Sequence, residues 1–293
     1  MRTVNADGRL GLLVDDRVVD VERASNGVFG ADPQAVFPHW AEFRAWAGRL
    51  DPVPDGPALA EVTLLAPVPR PRQVFAIGLN YRAHAAEGGL ELPDTPMVFT
   101  KFPTCISGPT GDIALPPGAV DYEAELVVVI GPGAYRVDRD SAWDHVAGLT
   151  IGQDLSERRL QTKPPAPMQF SLAKSFPGFG PIGPAVVTPD ELADRNDLEI
   201  GCRRNGEQLQ LARTSDLIFD VPALVSYLSG VLPLLPGDLI FTGTPAGVGF
   251  VRDPQILLEP GDRLTTHIEG LGAMNHRFAA EPRTEDSPGD ADA

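Results

Sequence analysis

Cysteine is scarce in this chain. Only Cys105 and Cys202 occur among its 293 residues, so a disulfide framework is excluded and no CxxC or Cys/His zinc pattern exists. Long apolar runs are missing too: no segment reaches the roughly 20 residues that a membrane-spanning helix needs. Positive charge is in deficit, with 24 Lys and Arg against 40 Asp and Glu and a formal net charge of −16. Such a balance repels phosphate backbones and anionic bilayers, so neither nucleic acid nor membrane is expected as a partner. The G-x-S-x-G elbow of a serine hydrolase is absent, and no glycine loop has the lysine and spacing of a P-loop. Met1–Asp7 lacks the apolar stretch of a signal peptide, which makes the cytoplasm the default expectation.

What the chain has in excess is glycine and proline, 30 of each. Both interrupt regular structure, and their abundance favours many short strands and turns over a helical bundle. The fold class expected is mixed α/β and β-rich. Residues 1–66 read as a small N-terminal α+β module, with strands at Leu10–Val14 and Val18–Val21 and an amphipathic helix around His39–Leu50. Asp51–Pro57, rich in Pro and Gly, reads as a linker. A larger domain follows over 67–280. Its expected strands are Val74–Ile77, Leu126–Ile130, Gly148–Gln153, Ile182–Val187, Leu198–Arg204, Leu239–Thr242 and Leu264–Ile268, with helices around Tyr81–Glu87, Leu155–Thr162 and Asp220–Leu228. The tail 281–293 has almost nothing to bury and is expected to be disordered.

Several residue patterns could carry chemistry. Glu123 and Glu125 alternate in the apolar run Asp121–Ile130; strand side chains have period two, so both point to one face. Paired carboxylates among valines need a cation between them, and oxygen-only ligands suit a hard divalent ion. A polar strand face would give the same pattern. Asp154, at the end of Leu149–Gln153, is placed either to join them or to cap a helix. His84 and Glu87 stand three apart on a short helix that Asn80 and Gly88 would cap, where the carboxylate can orient the imidazole as a general base. An ordinary surface pair fits as well. Lys174 is a lone cation in an apolar stretch, either an oxyanion stabiliser or a snorkelling lysine. The loop Thr242–Gly249 offers backbone N–H groups and hydroxyls to a carboxylate, or is a plain turn.

Taken together and in order, G-x-N-Y-x-x-H-x-x-E (78–87), F-x-K (99–101), D-Y-E-x-E (121–125), Q-D-x-S-x-R-x-x-Q (153–161), A-K-S-F (173–176) and T-G-T-P-x-G-V-G (242–249) closely resemble the fumarylacetoacetate hydrolase superfamily. The resemblance spans roughly residues 70–278. It implies a mixed β-sandwich roll, usually a homodimer, with a divalent cation (Mg²⁺ or Mn²⁺, sometimes Ca²⁺) on Glu123, Glu125 and Asp154. It also implies a catalytic His84–Glu87 dyad with Lys174 beside it, and substrate contacts from Tyr81, Arg158, Gln161, Gly243 and Thr244. Glu157 stands where the family usually has a small residue. The implied activity is metal-dependent hydrolysis of a C–C bond in an acylpyruvate-type 2,4-dioxo acid, with an enolate leaving group stabilised by the cation. Decarboxylation, isomerisation or hydration of 2-oxo diacids in aromatic-compound breakdown is the alternative. A non-catalytic protein that binds a metal and a small acid is the remote one.

Overall fold

The computed structural model describes residues 1–162 and 167–281. The chain opens with three strands, β1 (Arg2–Ala6), β2 (Arg9–Val14) and β3 (Arg17–Asp20). Asp7 and Gly8, at φ 51° and 84°, join the first two in a tight turn whose left-handed residues match the twist of the flanking strands. Helix α1 (Trp40–Ala47) follows. The larger segment then runs β4 (Val74–Gly78), α2 (Arg82–Glu87), β5 (Met97–Thr100), β6 (Thr110–Leu115), β7 (Ala124–Ile130), β8 (Val146–Gln153), α3 (Arg158–Thr162) and β9 (Gly180–Val187). It ends with β10 (Glu199–Arg204), β11 (Glu207–Arg213), α4 (Val221–Val231), β12 (Leu239–Phe241), β13 (Arg263–Ile268) and β14 (Gly272–Ala280).

These strands form two mixed sheets, the strand-rich roll expected from the sequence. The larger has the order β3-β2-β1-β9-β8-β7-β12-β4-β5, and the smaller β11-β10-β13-β14-β6. β7 is antiparallel to both its neighbours, whereas β12 and β4 run parallel. All seven residues of β7 are buried because both its faces are covered, which is why the run reads as nearly continuous apolar sequence. Val127 and Val129 join one core with Trp40, Phe43 and Phe241. Leu126, Val128 and Ile130 join the other with Ile200, Leu224, Leu264 and Phe278. Each such side chain contributes about 1.5–3 kcal/mol by leaving water.

The N-terminal segment shares the main sheet, since β1 pairs with β9 in the register Arg2↔Val187 and Thr3↔Val186. The stretch expected as a linker lies against β3: Val18 N–H donates to Pro57 O at 2.9 Å, and Arg17 Nη1 to Gly56 O at 2.7 Å. The acidic tail expected to be disordered lies, beyond Glu281, outside the described residues.

Candidate metal centre and active site

The strand carrying the two glutamates does not run unbroken from Asp121 as its sequence suggests. Val120–Asp121 pairs instead with Ser156–Glu157 in a separate short ribbon, and β7 begins only at Ala124. In the break, Glu123 N–H donates to Gln153 Oε1 at 2.9 Å, and Ala124 N–H to Gln210 Oε1 at 2.9 Å. Glu123 O accepts Asp154 N–H at 2.9 Å. Because β8 runs antiparallel to β7, its exit brings Asp154 beside the entry of β7. Glu125 lies opposite Gly152, where a Cβ would come within 2.5 Å of Val127 Cγ2. Glu123, Glu125 and Asp154 thus each place an oxygen within 4.8 Å of the others, and all three are buried.

Three cations surround this cluster. Lys174 Nζ donates to Glu123 Oε2 and to Asp154 Oδ2, each at 2.6 Å. Lys101, fully buried, donates to Asp154 Oδ1 at 2.6 Å and to the backbone carbonyl of Lys174. Arg158 spans Glu123 Oε1 at 2.5 Å and Asp121 Oδ2 at 3.0 Å, and donates to Gln161 Oε1 at 2.8 Å. Burial alone would raise the Glu123 carboxyl, but Lys174 and Arg158 outweigh it and hold that group below the usual carboxylate range. Glu125 is the converse. Burial and the neighbouring Asp154 and Glu123 charges push it well above its ordinary value, and its recorded hydrogen bond is from Gly243 N–H at 2.8 Å. Among the described residues no ion pair reaches Glu125.

This donor set fits a divalent cation. The oxygens are hard ligands converging on one point, and Glu125 is crowded by two like charges with no cation of its own. Lys101 and Asp121 were not among the site residues expected from the sequence. Lys101 lay in the F-x-K motif, but nothing local says that strand β5 ends beside Asp154. Asp121 accepts from Gly249 N–H at 3.0 Å and Phe250 N–H at 2.8 Å, tying a distant loop to Arg158.

A pocket of about 220 Å³ opens over the cluster, lined by His84, Glu123, Glu125, Arg158, Gln161, Lys174 and Thr244, with Leu90, Met97, Phe99 and Phe170 as apolar wall. His84 Nδ1 meets Glu87 Oε2 at 3.2 Å, and Gly247 N–H donates to the Glu87 carboxylate at 3.1 Å. The dyad helix is capped differently from expectation. Its N-cap is Tyr81, and Ala83 N–H finds Asp216 Oδ2 at 3.1 Å. Asn80 is drawn inward, donating to Phe219 O and Thr242 O at 3.0 and 2.7 Å and thereby fastening β4 to the loop after β12.

Two expected substrate contacts stand elsewhere. Tyr81 is fully buried, with its hydroxyl unpartnered among the described residues, and is not part of the pocket wall. Gly243 spends its N–H on Glu125, and its φ of 103° with a Cβ space only 2.7 Å from Asn80 Cβ makes glycine necessary there. Asp154 caps no helix, because Ser156–Glu157 intervenes before α3. Glu157 supplies that cap, accepting from Arg159 N–H, Leu160 N–H and Ala119 N–H at 3.1, 2.6 and 2.8 Å.

Comparison with known proteins agrees with this architecture. Residues 73–279 match the family described as fumarylacetoacetate (FAA) hydrolase C-terminal. Oxaloacetate tautomerase FAHD2A, mitochondrial, of Bos taurus is 42% identical over 233 residues, 79% of this chain and 73% of that protein. The crystal structure of an HpcE-like protein from Mycobacterium smegmatis is 53% identical, covers 96% of this chain and all of that one, and superposes with a TM-score of 0.92. Maleylpyruvate hydrolase from Sphingobium sp. SYK-6, in complex with manganese(II) and pyruvate, is 28% identical with 96% and 100% coverage and a TM-score of 0.81. The cytoplasmic expectation is overturned here, since the curated relative is mitochondrial by name. That expectation looked only for an apolar leader, whereas mitochondrial leaders are amphipathic and escape such a criterion.

Proposed function

The chain belongs to the fumarylacetoacetate hydrolase family, and from that premise we propose that it is a divalent-cation-dependent enzyme that moves a proton on the carbon beside the 2-oxo group of a small 2-oxo acid, interconverting keto and enol forms. The observation that carries this reading is the buried Glu123–Glu125–Asp154 cluster lying under the same pocket that His84 borders. Those three carboxylates would hold the ion, with Mg²⁺ or Mn²⁺ the expected occupant and Ca²⁺ compatible. When bound it supplies Lewis-acid polarisation of the substrate's 2-oxo group, which acidifies the neighbouring C–H.

The chain's own residues do the rest. His84, oriented through Nδ1 by Glu87, presents its other ring nitrogen as the base that takes the proton and returns it. Gln161 lines the pocket with a side-chain amide whose N–H groups can donate to the substrate's carboxylate and oxo oxygens, and Thr244 forms the wall beside it. Lys174 and Arg158 are committed to Glu123 and keep it ionised and fixed beneath the pocket. Phe99, Met97 and Phe170 form the apolar side of the pocket.

Oxaloacetate-type tautomerisation stands first because tautomerase relatives share 42% identity with this chain, against 28% for the hydrolase. Hydrolysis of an acylpyruvate is the second reading, favoured by the intact His84–Glu87 pair, which can equally deprotonate a water for attack on the distal carbonyl. The homodimer implied by the sequence resemblance belongs to this proposal, and the solution mass tests it.

The deciding experiment treats the EDTA-stripped protein with Mg²⁺ or Mn²⁺ and follows the enol absorbance of oxaloacetate and of acetylpyruvate, with pyruvate release measured separately. Cation-dependent enol–ketone exchange without pyruvate release supports tautomerisation. Stoichiometric pyruvate from acetylpyruvate promotes the hydrolase. No cation-dependent change in either substrate refutes both.

A further inference from the structure

We infer that Gln210, a residue of the smaller sheet, is a positioning residue for this pocket: it sets Thr244 and the backbone between Glu123 and Glu125 in a fixed relation to one another. The inference rests on the reading of the pocket as the place where a 2-oxo acid binds.

The physical reason begins with the break in the strand. A backbone that leaves its ladder exposes N–H groups that must find acceptors when buried. Ala124 N–H, between the two glutamates, finds none in the main sheet and donates to Gln210 Oε1 at 2.9 Å. The amide end of the same side chain donates to Thr244 Oγ1 and to Pro245 O, both at 2.8 Å. Thr244 Oγ1 in turn donates to Ala124 O at 3.0 Å, closing a ring of bonds among residue 124, residue 210 and residue 244. Gln210 is only 1% exposed, and it stands behind the pocket wall instead of in it. Its own place is held by Gln208 Nε2, which donates to Gln210 O at 2.5 Å.

A glutamine is the residue such a bridge demands. It must accept at one end and donate twice at the other, and a carboxylate or a hydroxyl cannot do both. Thr244 is in this way placed by a strand of the other sheet, and nothing in the T-G-T-P loop itself encodes that contact.

The test uses the full chain, Mn²⁺ and pyruvate as probes, and titration calorimetry with melting curves as readouts. Gln210→Glu keeps an oxygen for Ala124 N–H but turns an acceptor toward Pro245 O and Thr244. It should weaken pyruvate binding to the Mn²⁺-loaded protein roughly tenfold, the worth of a lost bond and a displaced hydroxyl, while Mn²⁺ affinity stays within about threefold. Gln210→Met, which abandons Ala124 N–H as well, should weaken both Mn²⁺ and pyruvate. Pyruvate affinity of Gln210→Glu within twofold of the parent, even with a lower Tm, would overturn the inference, as would failure of both variants to fold. A parent that binds Mn²⁺ but no pyruvate counts against the 2-oxo acid reading; the positioning role is then judged by whether Gln210→Met weakens Mn²⁺ several-fold.

Discussion

The carboxylate cluster at the entry of β7 and the helix α2 that carries His84 border one pocket but are held by different means. In the cluster every carboxylate is buried, and Glu123 and Asp154 each use both oxygens on cations drawn from three other places in the chain. The dyad sits on a six-residue helix, with His84 and Glu87 side chains 17% and 29% exposed, and is fastened by one bond between them and one amide from Gly247. The first arrangement fixes Glu123 and Asp154 relative to one another through buried ion pairs. The second leaves the imidazole and its carboxylate partner partly in contact with water.

Substitutions should separate the two regions. The largest effect is expected from Asp154→Asn, which strips two buried ammonium groups of their partner. It should cost about 3–5 kcal/mol of stability and abolish both turnover and the rise in Tm that Mn²⁺ gives, seen in melting curves with and without the ion. Retention of the Mn²⁺-induced rise would remove Asp154 from the ligand set. His84→Ala should leave Tm and its Mn²⁺ response unchanged and lower kcat by about 10²–10⁴. A kcat within a few-fold of the parent would transfer the proton-transfer role elsewhere. Glu87→Gln is milder: it loses one charge-assisted bond to the imidazole and should lower kcat about tenfold, with KM unaltered.

The smallest effect belongs to neither region and serves as their control. His276 on β14 is buried, and burial lowers its pKa below the ordinary 6.5. Folded protein then keeps it neutral while the unfolded chain protonates it near 6.5, so stability is full above that pH and declines as pH falls through it. Urea denaturation at pH 7.5 and 5.5 should show this decline, and His276→Gln should flatten it; an equal decline in the variant would locate the acid sensitivity in another group.

Much of this architecture could be read without coordinates. Apolar runs such as Val74–Ile77 and Leu126–Ile130 announce strands covered on both faces, and both appear within two residues of expectation. Strands β1, β5, β6, β11 and β14 were not anticipated, and β6 and β14 show why. Thr110–Leu115 buries only Ile113 and Leu115, and Gly272–Ala280 alternates with polar residues, so neither shows a run long enough to stand out. Asn80 reads locally as a helix cap, yet tertiary acceptors at residues 219 and 242 outcompete that use.

By itself the sequence determined which residue types were available at which spacing: the paired acids, the histidine with its glutamate, the lysine, and the glycines that let a backbone turn. Those choices are local and chemical. Long-range packing alone settles that the strand breaks at Tyr122–Glu123, that Lys101 ends on Asp154, and that Gln210 reaches across from the other sheet. Each of these satisfies a buried charge or N–H whose partner lies far along the chain, and such pairings become defined only when packing excludes water and leaves one acceptor within reach.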